Sequence, residues 1–157
     1  GWIELDFPSE PVSEAETPEG LTEALGVGIR FVGRNRMDLL VELESEGAVR
    51  TLDPDITRLG AIPARGVIVT ARGNPGGEYD FVSRFFAPRL GVPEDPVCGS
   101  AHCALTPYWS GRLGRRELLA YQASDRGGVL RLRDESPRVV LGGRAVTVLR
   151  GEILAGP

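Results

Sequence analysis

The chain has 157 residues, of which 41% are hydrophobic and 25% charged, and its formal net charge is −4. That length fits one domain with a core of its own, while an acidic balance excludes the clustered positive charge that nucleic-acid or polybasic membrane binding requires. No apolar run approaches the roughly 20 residues of a spanning helix and no signal-peptide pattern opens the chain, so a cytoplasmic protein is expected, with neither nucleic acid nor membrane as partner.

In chain order, "WIELDFP" (residues 2–8) alternates apolar and polar side chains and predicts a strand ended by Pro8. "TPEGLTEALG" predicts a short helix, with Thr17 as N-cap, Pro18 at its first position and Gly26 ending it. "VGIRFVG" and "DLLVELES" predict two strands joined by the polar "RNRM" turn, and "LDPDITRLG" predicts one helical turn. "GVIVTAR" is β-branched and predicts a buried strand. After the "RGNPGGE" loop, "YDFVSRFFAP" predicts a long strand with Phe81, Ser83 and Phe85 on one face and Val82, Arg84 and Phe86 on the other.

A loop held by Pro93 and Pro96 leads into a helix from about Ser100 to Gly111 or Gly114. Ala101, Cys103, Ala104, Leu105, Tyr108, Trp109 and Leu113 spread over more than one face of it, the mark of a buried helix. Pro107 removes one backbone hydrogen bond inside it and predicts a kink. "LLAYQAS", "GVLRLRD", "RVVLGG" and "AVTVLRGEIL" predict four closing strands. Many strands and one dominant helix make an α+β domain. The expectation is a sheet wrapped around a central helix whose N-terminus points at a cleft.

The chemistry concentrates in "EDPVCGSAHCAL", residues 94–105. The first turn of a helix carries unpaired N–H groups and the positive end of the macrodipole. Gly99, Ser100 and Ala101 are small enough to let a substrate carboxylate reach those amides. The same field lowers a thiol pKa, which would make Cys98 a proton-transfer group, with Asp95 as a second candidate. The alternative is a Ser-capped buried helix with an inert cysteine.

His102, the only histidine, reads as a substrate contact or as a hydrogen-bonded structural residue. One His and two Cys fall short of a zinc site, and Cys98 and Cys103 point apart for a disulfide. In "QASDRGG", Gly127 and Gly128 permit positive φ and Arg126 can reach an anion, unless the segment is only a hairpin turn. "GNPGG" at 73–77 lacks the strand–loop–helix setting of a phosphate cradle. All 18 basic residues are Arg, which reads as coding bias before chemistry. The chain opens Gly-Trp and its one methionine is Met37, so a piece of a longer protein is expected, with Gly1 compatible with a tag remnant.

"YDFVSRFFAPRLGVPEDPVCGSAHCALTPYW", "YQASDRGGVLRLR" and "RVVLGGRAVTVLRGEIL" resemble the C-terminal half of the phenazine-biosynthesis-like (PhzF-like) family, and the earlier segments follow the family's order. The resemblance implies a diaminopimelate epimerase-like fold: two similar domains, each a mixed sheet curled into a barrel round a central helix, with the site between them. Residues 1–157 would be the C-terminal domain of such a protein, with the N-terminal domain absent. It further implies a cofactor-independent isomerase that shifts a proton on a small carboxylic acid. Asp95 and Ser100 match functional positions of the family, and Gly99 to Ala101 match amides that hold the carboxylate. Cys98 replaces a threonine common in the family. In the epimerase and proline-racemase relatives a catalytic cysteine precedes Gly-Thr or Gly-Ser at the matching place, so "VCGSA" leans toward a two-base mechanism.

One departure matters. The family's main catalytic glutamate lies in its N-terminal domain, near a Gly-Asn-Pro motif, and no glutamate of this chain stands in that context; the "GNP" at 73–75 lies in this half's own loop. Half a cleft is therefore expected, inactive until a missing domain or partner chain completes it. Two alternatives stand beside this: a homodimer facing two Cys98 thiols across a racemase site, and a carboxylate-binding module without chemistry.

Overall fold

The computed structural model describes residues 1–152. Its strands form one nine-stranded mixed sheet in the order β1-β9-β8-β7-β6-β5-β4-β3-β2. The strands are β1 Trp2–Pro8, β2 Ser13–Glu14, β3 Ile29–Arg34, β4 Asp38–Leu43, β5 Gly66–Arg72, β6 Phe81–Phe86, β7 Glu117–Gln122, β8 Gly128–Glu135 and β9 Arg138–Arg144. The helices are α1 Leu21–Leu25, α2 Glu46–Arg50, α3 Ile56–Ala61 and α4 Gly99–Leu113. None of these helices is long and apolar enough to cross a membrane.

Only two neighbouring pairs are parallel, β4 with β5 and β6 with β7. The chain therefore crosses over twice, through α2 and α3 and then through α4. Both crossovers step the same way across the sheet, but the antiparallel β5–β6 pair between them reverses the strand direction. A constant right-handed crossover then puts the two sets of helices on opposite faces. The core divides accordingly. Leu40, Ile68, Phe81 and Phe85 join the cluster that contains α4, whereas their sequence neighbours Leu39, Val41, Val67, Val69, Val82 and Phe86 join the one that contains α1 to α3. The facing predicted for residues 81–86 is the observed one, and these central strands are mostly apolar because both faces are covered.

Residues 101–106 of α4 are buried without interruption, so the first turns of the helix are covered on every side. Side chains from β4 through β9 share one cluster with it. Trp109 stacks on Phe81 at 5.6 Å, and its Nε1–H donates to Thr70 Oγ1 at 3.0 Å. Thr70 donates in turn to the Val82 carbonyl at 2.7 Å. Pro107 lies inside the helix without breaking it. The Cys103 carbonyl, which Pro107 cannot serve, accepts the Glu10 amide at 3.0 Å.

Four expectations need correction. The sheet does not close into a barrel, because β1 and β2 end it as unpaired edges. The first helix begins at Leu21 rather than Pro18: Gly20, at φ 80°, is the residue before the first turn, and this left-handed conformation cannot lie within an α-helix. The Thr17 cap is therefore not formed. Helix α2 was hidden by Gly47, a poor helix former, although Ser45 caps it by accepting the Ala48 amide at 3.1 Å. Of the strand predicted over 145–154, residues 145–152 carry no regular structure, and 153 and 154 lie outside the described residues.

The Trp109 contacts give a direct test. Trp109→Ala should lower unfolding stability by about 3–5 kcal/mol in urea denaturation, and a loss below about 1 kcal/mol would contradict its role in joining α4 to the sheet.

Candidate functional site

The loop before α4 is shaped by one side chain. Gln122, buried at the end of β7, accepts the Cys98 amide at 2.8 Å and donates to the Asp95 carbonyl at 2.6 Å. The Asp95 amide is held by the Phe85 carbonyl at 2.9 Å. Ser124 donates to the Pro96 carbonyl at 2.6 Å and accepts the Gly127 amide at 3.1 Å, which ties the 124–128 turn to the same loop. At Gly127, φ is 68° and an added Cβ would collide with the Tyr121 hydroxyl, so this turn requires glycine.

These ties bring together the candidates read from 94–105. Cys98 stands at the N-cap position of α4, and its Sγ lies 3.3 Å from Ser100 Oγ. Gly99 is exposed, and Asp95 and Ser100 are half-buried. The helix start is thus a wall open to one side. Arg126 and Gly127 line a neighbouring groove of about 700 Å³ that reaches Val97 but none of Asp95, Cys98 and Ser100. Arg126 is exposed there.

Two expectations change, one about titration and one about contact. Burial raises the Cys98 thiol above its ordinary range, with the Asp95 charge adding to it. The Ser100 hydroxyl, the Ala101 amide and Arg65 pull the other way without overcoming burial. The helix start alone therefore does not make Cys98 a ready thiolate. Cys103, buried and close to the Glu10 and Cys98 charges, is pushed up to about 11. His102 lies below the site rather than in it. It is 0% exposed, its Nδ1–H donates to the Cys98 carbonyl at 2.8 Å, and Nε2 lies 3.4 Å from Ser83 Oγ. A fully enclosed ring cannot touch a solvent-borne substrate, so His102 supports the loop instead. Burial lowers its pKa to about 4.

The structure adds residues that the sequence reading passed over. Asp38, 1% exposed, holds Arg65 through two hydrogen bonds, with Arg65 Nε–H to Oδ1 at 2.8 Å as one of them. Arg65 also donates to Ser100 Oγ at 2.9 Å. Asp38 opens β4, and Arg65 precedes β5 next to its register partner Gly66. Two opposite charges at the same ends of two buried parallel strands were the available signal. Gln122 opens the "QASDRGG" segment, but an amide gives no sign of which loop it will hold. Among the described residues, no group of three or more His, Cys, Asp or Glu is placed to hold a metal ion.

The family described as phenazine biosynthesis-like protein matches residues 7–151. An uncharacterized isomerase of Halalkalibacterium halodurans is 53% identical over 154 residues, covering 98% of this chain and 58% of that protein. The crystal structure of a phenazine biosynthesis protein of the PhzF family from Enterococcus faecalis superposes with a TM-score of 0.88 at 41% identity, covering 98% of this chain and 58% of that one. A predicted epimerase from Pseudomonas aeruginosa shares the fold at a TM-score of 0.64 and 18% identity, covering 99% of this chain and 59% of that one. The chain thus spans somewhat more than half the length of the relatives it matches.

The His102 environment sets a pH dependence. Its folded-state pKa is depressed below 6.5, so the stability it contributes is complete above pH 6.5 and is lost as pH falls toward 4. Between pH 6.5 and 5 the chain should lose roughly 2 kcal/mol by this route, and His102→Gln should flatten that slope in chemical denaturation. Equal slopes in the two proteins would contradict the assignment.

Proposed function

The chain belongs to the phenazine biosynthesis-like (PhzF) family, and from that premise we propose that it is the C-terminal half of a cofactor-independent isomerase. Its substrate is a small carboxylic acid, and the reaction moves a proton to or from carbon. The carboxylate sits on the amides of Gly99 to Ala101, where the helix N-terminus favours an anion. Cys98, Ser100 and Asp95 are the proton-handling groups on this wall. The opposing acid or base comes from the remaining part of the protein, as in a mechanism where one group removes a proton and another returns one.

One observation carries this reading. Cys98 and Ser100 lie 3.3 Å apart at the start of a helix whose residues 101–106 are buried, while Gly99 between them is exposed. Beside them, β1 turns Ile3, Leu5 and Phe7 to the solvent at 53%, 54% and 37% exposure. With Val97, Gly99 and Leu141 these line an apolar groove of about 390 Å³. An apolar strip on a free sheet edge invites cover. The rest of the protein is the occupant proposed here, since relatives are longer than this chain by more than a third of their own length. The opposite face of β1 is already served, with Glu4 near Arg133 and Asp6 paired with Arg138.

A homodimer across the same strip is the second reading, because two β1 edges can pair about a two-fold axis. Sedimentation tests the second reading, which a strictly monomeric chain at high concentration would remove.

The chemical assignment is tested in the complete protein by proton NMR in D₂O with a panel of small carboxylic acids. Cys98→Ala and Asp95→Asn should each slow deuterium uptake at the reacting carbon by about 10²-fold or more. Full activity in Cys98→Ala would remove the thiol from the mechanism.

A further inference from the structure

Arg65 has no part in the carboxylate site as drawn, yet its guanidinium is fixed at both ends. Asp38, buried at the start of β4, holds Nε and one terminal nitrogen, and that terminal nitrogen also donates to Ser100 Oγ at 2.9 Å. The guanidinium lies over the Phe85 ring, its carbon 5.7 Å from the ring centre. A guanidinium can only donate. Ser100 Oγ therefore spends a lone pair on Arg65, and its own proton must point away from the arginine. The group in that direction is Cys98 Sγ, 3.3 Å away.

We propose that Arg65, anchored by Asp38, is a positioning residue that fixes the Ser100 hydroxyl so that its proton is delivered to Cys98 Sγ. The proposal deepens the functional reading above and rests on it for its consequence. In the thiol form either atom of the Cys98–Ser100 pair can donate. In the thiolate form only the hydroxyl can, so the fixed hydroxyl favours the charged sulfur. This opposes the burial that raises the Cys98 thiol, and the Arg65 charge adds to it. The charged and titratable groups around Cys98 are Asp95 on its own loop, Arg65 with Asp38 from β4 and β5, Cys103 one turn along α4, and Glu10, which acts on both Arg65 and Cys103. Asp95, Cys103 and Glu10 disfavour the thiolate or leave it unaided. Arg65 with Ser100, beside the Ala101 amide, is the arrangement that supports it.

The test is the pH profile of iodoacetamide alkylation, read at Cys98 and Cys103 separately by peptide mass spectrometry on the 157-residue chain. Removing Asp38 and Arg65 together, as Asp38→Leu with Arg65→Met, leaves no orphaned buried charge. In that protein and in Ser100→Ala, the Cys98 midpoint should move to higher pH and alkylation at pH 7 should slow by about tenfold. The triple variant should be no slower than the Asp38/Arg65 double variant, because a Ser100 hydroxyl that Arg65 no longer fixes has no proton left to deliver to the sulfur. Cys103 should keep its wild-type profile in every case. If the double variant does not fold, Arg65→Lys gives the same reading, since it keeps the charge beside Asp38 but lacks the fork that reaches Ser100.

An unchanged midpoint in the Asp38/Arg65 variant overturns the proposal whatever Ser100→Ala does. A triple variant slower than the Asp38/Arg65 double variant overturns it too, because Ser100 then serves the sulfur without Arg65. The midpoint reads the sulfur and not turnover. A relay seen here together with full activity in the complete Cys98→Ala protein would refute the functional reading and leave the positioning role intact.

Discussion

The complete burial of residues 101–106 is the constraint on which the remaining structure depends. A helix covered on every side in its first turns needs partners all round, and the β4–β9 side of the sheet supplies them. Its backbone needs are met internally except at the ends, and at Cys103, where Pro107 leaves a carbonyl that Glu10 occupies. The N-terminal amides are the exception, because a helix cannot satisfy them itself. The fold buries the first turns of α4 from Ala101 onward and leaves Gly99, at its positively polarised end, exposed. The candidate site sits where burial had to stop.

The geometry around that end is set by polar groups that themselves face no ligand. Gln122 fixes Asp95 and Cys98 relative to each other, His102 holds the Cys98 carbonyl from below, and Ser124 links the 94–98 loop to the glycine turn. Each is buried or partly buried with its partners supplied, the condition under which buried polar groups add rigidity rather than cost. Burial has the opposite effect on the thiol. It penalises the charged form, so a thiolate at Cys98 depends on the few donors that reach Sγ.

Much of this was legible in the sequence. The strand facing of residues 81–86 and the buried character of the first turns of α4 follow from spacing alone, because alternation and all-round apolarity report burial directly, while the choice between Gly111 and Gly114 as the helix end needed the structure. The segment 94–105 was recognisable because small residues, a cysteine and an acid stand at a helix start. What escaped depends on tertiary placement. Arg65 and Asp38 lie 27 positions apart and meet only because β4 and β5 pair in parallel. His102 left a contact role and a structural role open, and burial favours the structural one, since one residue type serves as ligand or as strut according to its surroundings. The strand predicted at 145–154 finds no partner strand over its described residues, 145–152, and a strand-like sequence alone cannot supply one.

The central claim is that this chain carries one wall of a two-walled proton-transfer site. It is tested most directly by purifying the 157-residue chain, adding the remaining part of its full-length protein as a separate polypeptide, and following deuterium uptake from D₂O into small carboxylic acids. The account predicts no uptake with either part alone and uptake at the reacting carbon when both are present. Uptake catalysed by the 157-residue chain alone, at the rate of the mixture, would contradict it.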